Sequence, residues 1–384
     1  MPSKRVRYPF QVLALCLSAW GLAWAGPPAE KDKAPDAASI RRGKYLATIG
    51  VCEACHTPPA VPAVPGGGDP DRERLFRMDP DWVKYLDPQR QLAGGVPFIL
   101  RLSGTTHGLI VTPNLTPDVE TGLGSWTEDE IVEVLRTARR KDGRVLFTFP
   151  PHSFYNHMAL EDARSLARYL KSLPPIRNPI QPRTLPFEPQ PMVADGPARA
   201  PQGRTRERAT YLMGALVGCR ECHSHHENGT LVEFAGGSPS DPFQGSFRLG
   251  PDLPLRQLEK GFAAFPYPGF AVLYGSNLTV LGHGGALERV PTERIVRAIR
   301  QGIDVREDEY GRPRPIAHVM MWQFYKDMAD VDALALADYL KTLTPVANPV
   351  GVRLKLFGTD WEAAFQQTYG EPPTPEDRAA FGMP

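Results

Sequence analysis

The chain has 384 residues and an almost even charge balance, 44 Lys and Arg against 43 Asp and Glu. That balance carries no basic bias of the kind that would point to nucleic acid or an anionic membrane surface. Beyond the first 25 residues no run approaches the ~18 consecutive apolar residues of a membrane-spanning helix, so the mature chain is expected to be soluble.

Residues 1–25 read as a cleaved export signal. Lys4, Arg5 and Arg7 form a positive start, 10–22 is mostly apolar, and Ala23-Trp24-Ala25 has the form of a cleavage site. The apolar stretch is shorter than the ~20 residues needed to span a bilayer. Its removal leaves 41 basic against 43 acidic residues, because it holds three positive charges and no acidic ones. Residues 26–38, rich in Pro, Ala, Lys and Asp, read as a disordered leader.

A helix is expected over 39–51, with Ile40, Tyr45, Leu46 and Ile49 near one face. It runs into Cys52-Glu53-Ala54-Cys55-His56, and Cys219-Arg220-Glu221-Cys222-His223 repeats the pattern. Cys-x-x-Cys-His is the attachment signature of a c-type haem. Two thiols on one turn form thioethers with the haem vinyl groups, and the adjacent His puts a ring nitrogen on the iron. A zinc site would need four good ligands, and the remaining cysteine, Cys16, lies in the export segment. No pair is left for a structural disulfide, although an exported protein could form one. Two covalently bound haem c groups are therefore expected, on Cys52, Cys55, Cys219 and Cys222, with His56 and His223 as proximal ligands. Covalent haem together with export points to the bacterial periplasm.

Further along, Thr127-Glu128-Asp129-Glu130 is a capping box that starts a helix running to about residue 140. A third helix is expected over 160–172, acidic at its start and basic toward its end, closed by Pro174-Pro175. Residues 178–203 carry seven prolines and read as a semi-rigid linker, or as a strap over a domain surface anchored by Leu185, Phe187 and Met192. The second half repeats the helices over 293–301 and 331–342. A tail follows over 349–384, with Trp361 and Phe365 as packing points. No run of alternating strands stands out. The expected fold is all-α, with tandem domains over 39–177 and 204–348.

The duplication is visible residue by residue. Arg42-Gly43-Lys44-Tyr45-Leu46 is echoed by Arg208-Ala209-Thr210-Tyr211-Leu212, Ala93-Gly94-Gly95 by Ala235-Gly236-Gly237, and Asn114-Leu115-Thr116 by Asn277-Leu278-Thr279. Phe154-Tyr155-x-x-Met158 matches Phe324-Tyr325-x-x-Met328. The offset drifts from 163 at the Asn-Leu-Thr motif to 170 at the methionines, as small loop insertions would produce. Two repeats of this size mean tandem domains, not a solenoid.

A haem iron with one His needs a second axial ligand or an open site. Met158 and Met328 occupy equivalent places and are the candidates; core filling is the alternative role for a methionine. Met320 and Met321 align with Pro150 and Pro151, which cannot ligate. His152 and His157 are rivals in the first half, but Asp327 stands opposite His157. His225 and His226 are too close to the second motif to reach the far haem face, and are expected to face solvent or a propionate. His107, His283 and His318 have no matched partners and are read as ordinary polar residues.

The Arg-Gly-x-Tyr-Leu lead into the first motif, residues 112–126 (Thr-Pro-Asn-Leu-Thr-Pro-Asp-Val-Glu-Thr-Gly-Leu-Gly-Ser-Trp) and the Phe-Tyr-x-x-Met segment carry a resemblance. Together they resemble the cytochrome c subunits of bacterial membrane-bound alcohol, sorbitol and gluconate dehydrogenases. The resemblance covers most of 39–177 and, more loosely, 204–348. It implies class I cytochrome c domains, His/Met haems and electron transfer from a dehydrogenase toward the respiratory chain. The acceptor would be a cytochrome or terminal oxidase, and peripheral membrane association would run through a partner. Those subunits commonly carry three haems where this chain has two motifs, and the second half lacks the Pro-Asp and Trp of the signature. The leading expectation is a dihaem electron carrier with no catalytic residues of its own. The alternative is a dihaem peroxidase-type enzyme with one open haem site.

Overall fold

The computed structural model describes residues 36–60, 82–103, 106–148, 152–237, 246–249, 271–281, 285–307, 310–316, 320–348 and 354–356, with 362, 366 and 372. The export segment, most of the leader, Trp361, Phe365, His283 and His318 lie outside the described residues. So do Pro150 and Pro151.

Among the described residues four α-helices build the first repeat: α1 (Ala37–Ile49), α2 (Cys52–His56), α3 (Glu128–Thr137) and α4 (Leu160–Ser172). The second repeats them as α5 (Arg206–Ala215), α6 (Cys219–His223), α7 (Thr292–Gln301) and α9 (Asp330–Lys341), with a one-turn helix α8 (Trp322–Tyr325) before α9. In the first repeat a 3-10 helix, His152–His157, takes the place of α8. The capping box forms in full: Thr127 Oγ1 accepts from the Glu130 amide, and the Glu130 carboxylate accepts from the Thr127 amide. α3 stops earlier than expected because Ala138 turns into the left-handed region at φ 61. α4 has the bounds its sequence pattern predicts.

α1 crosses α4 at very short range, and Gly43 makes this possible. A Cβ there would lie 1.9 Å from the Ser165 carbonyl oxygen. At the equivalent crossing of α5 with α9 the position is held by Ala209, fully buried. Leu46, Ile49, Leu166 and Leu170 from one repeat and Leu212, Leu216, Leu336 and Leu340 from the other belong to one continuous apolar core.

The chain is helix-rich with little strand. Strands that the sequence pattern does not announce occur in the connections as short antiparallel pairs: β1 (Pro97–Ser103) with β2 (Thr106–Val111), β3 (His225–Glu227) with β4 (Thr230–Val232), β7 (Val280–Leu281) with β8 (Gly285–Ala286), and β9 (Ile303–Glu307) with β10 (Pro313–Pro315). A three-stranded sheet adds β11 (Leu354–Leu356) and β5 (Ser246–Leu249) to either side of β6 (Ala271–Tyr274). Most of these strands are too short for a period of two to register as alternation.

The insertions between repeats are not all small. Residues 57–92 separate the first Cys-x-x-Cys-His from Ala-Gly-Gly, whereas 224–234 do so in the second repeat. From Ala-Gly-Gly to Asn-Leu-Thr the lengths reverse, 96–113 against 238–276. The two differences nearly cancel, which is why the overall offset drifts so little.

The Pro-rich segment runs along the first repeat. Thr184 and Leu109 exchange backbone bonds, the Met192 amide donates to the Thr137 carbonyl, and the Leu160 amide donates to Pro197. Phe187 meets Phe147 edge to face, with ring centres 5.9 Å apart.

Two buried carboxylates join the repeats. Arg42 grips Asp162 with two bonds of 2.9 Å, and Tyr211 of the other repeat donates to the same carboxylate at 2.8 Å. Arg208 grips Asp332 with two bonds of 2.7 Å, and Tyr45 donates to it at 2.6 Å from across the chain. The second bracket is the drier one, since the Arg208 side chain is 2% exposed and that of Arg42 26%.

Burial alone would raise the Asp332 pKa, but the hydrogen bonds from Arg208 and Tyr45 outweigh it and hold the carboxyl below its ordinary range. A carboxyl depressed on folding stabilises the fold above its unfolded pKa and loses that contribution as pH falls through the folded one. Arg208→Met should therefore cost about 3–5 kcal/mol in denaturant unfolding at pH 7 by stranding a buried charge. Arg42→Met should cost less. Asp332→Asn should flatten the fall in stability of the parent below about pH 4. Equal costs for the two Arg variants would contradict the burial difference.

Candidate haem-binding sites

Each Cys-x-x-Cys-His helix begins with a residue in the left-handed region. Val51 holds φ 50 before α2, and Gly218 holds φ 59 before α6. Glycine carries that conformation without strain; valine does not. Burial pushes the thiols of Cys52, Cys219 and Cys222 up to about 12, so without a haem they are protonated at neutral pH. Among the described residues the four motif cysteines are free of disulfides.

The two motif histidines are fixed in the same way. His56 Nδ1 lies 2.8 Å from the Pro113 carbonyl oxygen, and His223 Nδ1 lies 2.8 Å from that of Ser276. A carbonyl only accepts, so Nδ1 carries the proton and Nε2 carries the lone pair. That tautomer and its carbonyl support are what an Nε2-ligating histidine requires, and the donor set fits a haem iron.

A common frame holds those carbonyls in place. The amides of Gly94 and Gly236 donate to the His56 and His223 carbonyls at 2.7 and 2.8 Å. Thr57 Oγ1 and Ser224 Oγ accept from the amides of Leu92 and Phe234, both at 3.0 Å. Asn114 donates to the Ile176 carbonyl at 2.7 Å while its oxygen accepts from Thr116, and Asn277 does the same with Val346 and Thr279. Asn178 reaches back to the carbonyls of Ala93 and Gly94, as Asn348 reaches those of Ala235 and Gly237. By sequence pattern Asn178 only heads the linker. The matching Asn-Pro pairs at 178–179 and 348–349 are the signal that marks its role.

Met158 and Met328 are both buried, 0% and 2% exposed. Each amide donates to the carbonyl of the preceding tyrosine, Tyr155 or Tyr325. Those tyrosines tie the methionine loops to the haem motifs: Tyr155 Oη donates to Gly50 at 3.0 Å and Tyr325 Oη to Val217 at 2.8 Å, each two residues before the first motif cysteine. Two arginines that the motifs do not single out clamp the methionine carbonyls, Arg136 on Met158 and Arg300 on Met328. They stand at the 164-residue offset that relates Ile131-Val132 to Ile295-Val296, so the repeat contains them.

The rival histidines are engaged elsewhere. His152 is held by the Leu135 carbonyl at 3.2 Å, and burial lowers its pKa. His157 pairs with Asp195 at 2.5 Å and is partly exposed. His225 differs from expectation: it is buried, with Nδ1 on the Gly236 carbonyl and Nε2 on Glu227. His226 is exposed. Among the described residues no three His, Cys, Asp or Glu side chains converge as a metal site, and no helix is long and apolar enough to cross a membrane.

No family model matches the chain. It is 28% identical over 218 residues to one subunit of the nicotinate dehydrogenase of Pseudomonas putida, covering 52% of this chain and 16% of that protein. A diheme cytochrome c-type protein of Cereibacter sphaeroides is 28% identical over 226 residues, 55% of this chain and 67% of its own. The fructose dehydrogenase cytochrome subunit of Gluconobacter japonicus is 28% identical over 204 residues, 48% of this chain and 35% of its own. Further relatives are cytochrome c subunits of gluconate 2-dehydrogenase and of quinone alcohol dehydrogenases. Apart from the diheme protein, the chain spans less than half the length of these curated relatives.

Gly94 is a tight point of the frame. It has φ +71, and a Cβ there would lie 2.4 Å from the Pro113 oxygen that receives His56. Gly94→Ala should cost about 3 kcal/mol in denaturant unfolding, backbone strain and overpacking combined. Gly143→Ala, at φ +84 with nothing within 4 Å of the new Cβ, should cost about 1 kcal/mol from strain alone.

Proposed function

We propose that this chain is a dihaem c-type cytochrome of the periplasm that takes electrons from a dehydrogenase and passes them toward the respiratory chain. The observation that carries the reading is the role-for-role repetition of the frame. At both motifs the histidine is backed by a carbonyl, and a buried methionine lies on a loop that a tyrosine hydroxyl ties to the chain just before the motif. The names of the relatives support the same class of role.

Cys52 and Cys55 would hold one haem, with His56 and Met158 on its iron; Cys219 and Cys222 would hold the other, with His223 and Met328. A bound haem c supplies one-electron cycling of its iron. The chain's own residues do the rest: they orient the ligating nitrogens and keep the methionine side chains away from water. Those factors tune the potential. No side-chain acid, base or nucleophile is needed. Covalent haem fits export through the segment 1–25 and a periplasmic setting. The dehydrogenase donor and a cytochrome or terminal oxidase as acceptor follow from the kind of subunit the chain is similar to.

The reading is tested on protein exported in a host that attaches c-type haem. The mass should equal that of the chain beginning at Gly26 plus two haems. The far-red sulfur-to-iron charge-transfer band of the oxidised protein should halve in Met158→Ala and halve in Met328→Ala. High-spin iron at one site of the resting protein, with turnover of peroxide by a reduced cytochrome donor, would replace the carrier with a peroxidase-type enzyme.

A further inference from the structure

The peptide group that follows each methionine is held at both ends, by different repeats. In the Met158–Ala159 peptide the oxygen accepts from Arg136 Nε of the same repeat at 3.0 Å. Its N–H donates to the hydroxyl of Tyr211, from helix α5 of the other repeat, at 3.1 Å. In the Met328–Ala329 peptide the oxygen accepts from Arg300, and the N–H donates to the hydroxyl of Tyr45, from helix α1, at 3.3 Å. Each tyrosine in turn donates to the carboxylate of the helix that the methionine loop leads into, Asp162 or Asp332.

This arrangement does more than join two bodies. A tyrosine that only glued the repeats together could dock anywhere on the partner's surface. Both dock instead on the amide next to the candidate axial ligand, at matched positions of the duplicated sequence. Each hydroxyl uses its single proton on a buried carboxylate and its lone pair on that amide, so its orientation is fully determined. Turning the Met–Ala peptide, as release of the sulfur from an iron would require, breaks one bond to each repeat.

We propose that Tyr211 and Tyr45 are positioning residues acting in trans: the second repeat holds Met158 on the first haem, and the first repeat holds Met328 on the second. This rests on the assignment of the two methionines as axial ligands made above. The two arms are unequal. The Tyr211 bond is shorter and buried, whereas the Tyr45 bond to Ala329 is longer and exposed, so the first haem depends more on its neighbour.

The test uses the full-length holoprotein and imidazole as a competitor for the methionine position, followed through loss of the far-red band. Met158→Ala and Met328→Ala backgrounds isolate the band of one site at a time. With Met328 removed, Tyr211→Phe should lower the imidazole concentration that half-displaces Met158 by about five-fold, the effect of losing the bond to the Ala159 amide. Tyr45→Phe should leave that value unchanged. With Met158 removed, Tyr45→Phe should lower the value for Met328, by a smaller factor, and Tyr211→Phe should not. Each variant thus serves as the folding control for the other. Equal effects at both sites, effects confined to the tyrosine's own repeat, or no effect would overturn the inference while leaving the methionine assignment intact. A parent protein with no far-red band at a site overturns the assignment there, and the inference with it.

Discussion

A carboxylate taken out of water is costly unless its oxygens are met by donors, and this chain buries two of them at the junction of its repeats. Each is gripped by an arginine of its own repeat and completed by a tyrosine of the other. The repeats are thereby committed to each other, since separating them would strip a donor from a dry charge. Everything nearby is oriented by this junction. The arginine and tyrosine lie one turn apart on the first helix of each repeat, and the aspartate opens the last helix just after the candidate ligand methionine.

Around each Cys-x-x-Cys-His motif the same backbone bonds recur although the intervening segments differ greatly in length. The frame consists of short-range ties between distant pieces: a glycine amide on the histidine carbonyl, an asparagine spanning to the segment after the last helix, a tyrosine hydroxyl on the chain before the motif. Such ties constrain positions at their two ends and leave the connection between them unconstrained. Insertions therefore collect in the connections, and the ties around each motif recur unchanged. The asymmetries that remain are local. Val51 is strained where Gly218 is not, and the Arg208 bracket is drier than that of Arg42.

How much of this is legible in the sequence varies with the range of the interaction. The capping box at Thr127 and the bounds of α4 follow from residues three or four apart, and the structure contains both. The repeat itself is legible because Arg, Tyr, Asn and Met recur at near-constant offsets. Arg136, Arg300 and the pair Asn178 and Asn348 escape notice, although the same offsets relate them. Nothing in a lone arginine or asparagine announces which carbonyl it will reach. His225 defies its local pattern for a similar reason: its neighbours in sequence are polar, yet it is buried with Nδ1 on the carbonyl of Gly236, beyond the hairpin it begins.

Local pattern thus determined the helices, their caps, the duplicated motifs and the residues worth asking about, because those signals depend on spacing along a few turns of chain. Only the tertiary structure decided which groups meet. Tyr45 and Asp332 are 287 positions apart, and no periodicity relates a tyrosine of one repeat to an aspartate of the other. Their pairing arises when two similar apolar faces pack together and the charges left inside must find partners. The amide after each candidate ligand methionine is for that reason bonded to a tyrosine of the other repeat.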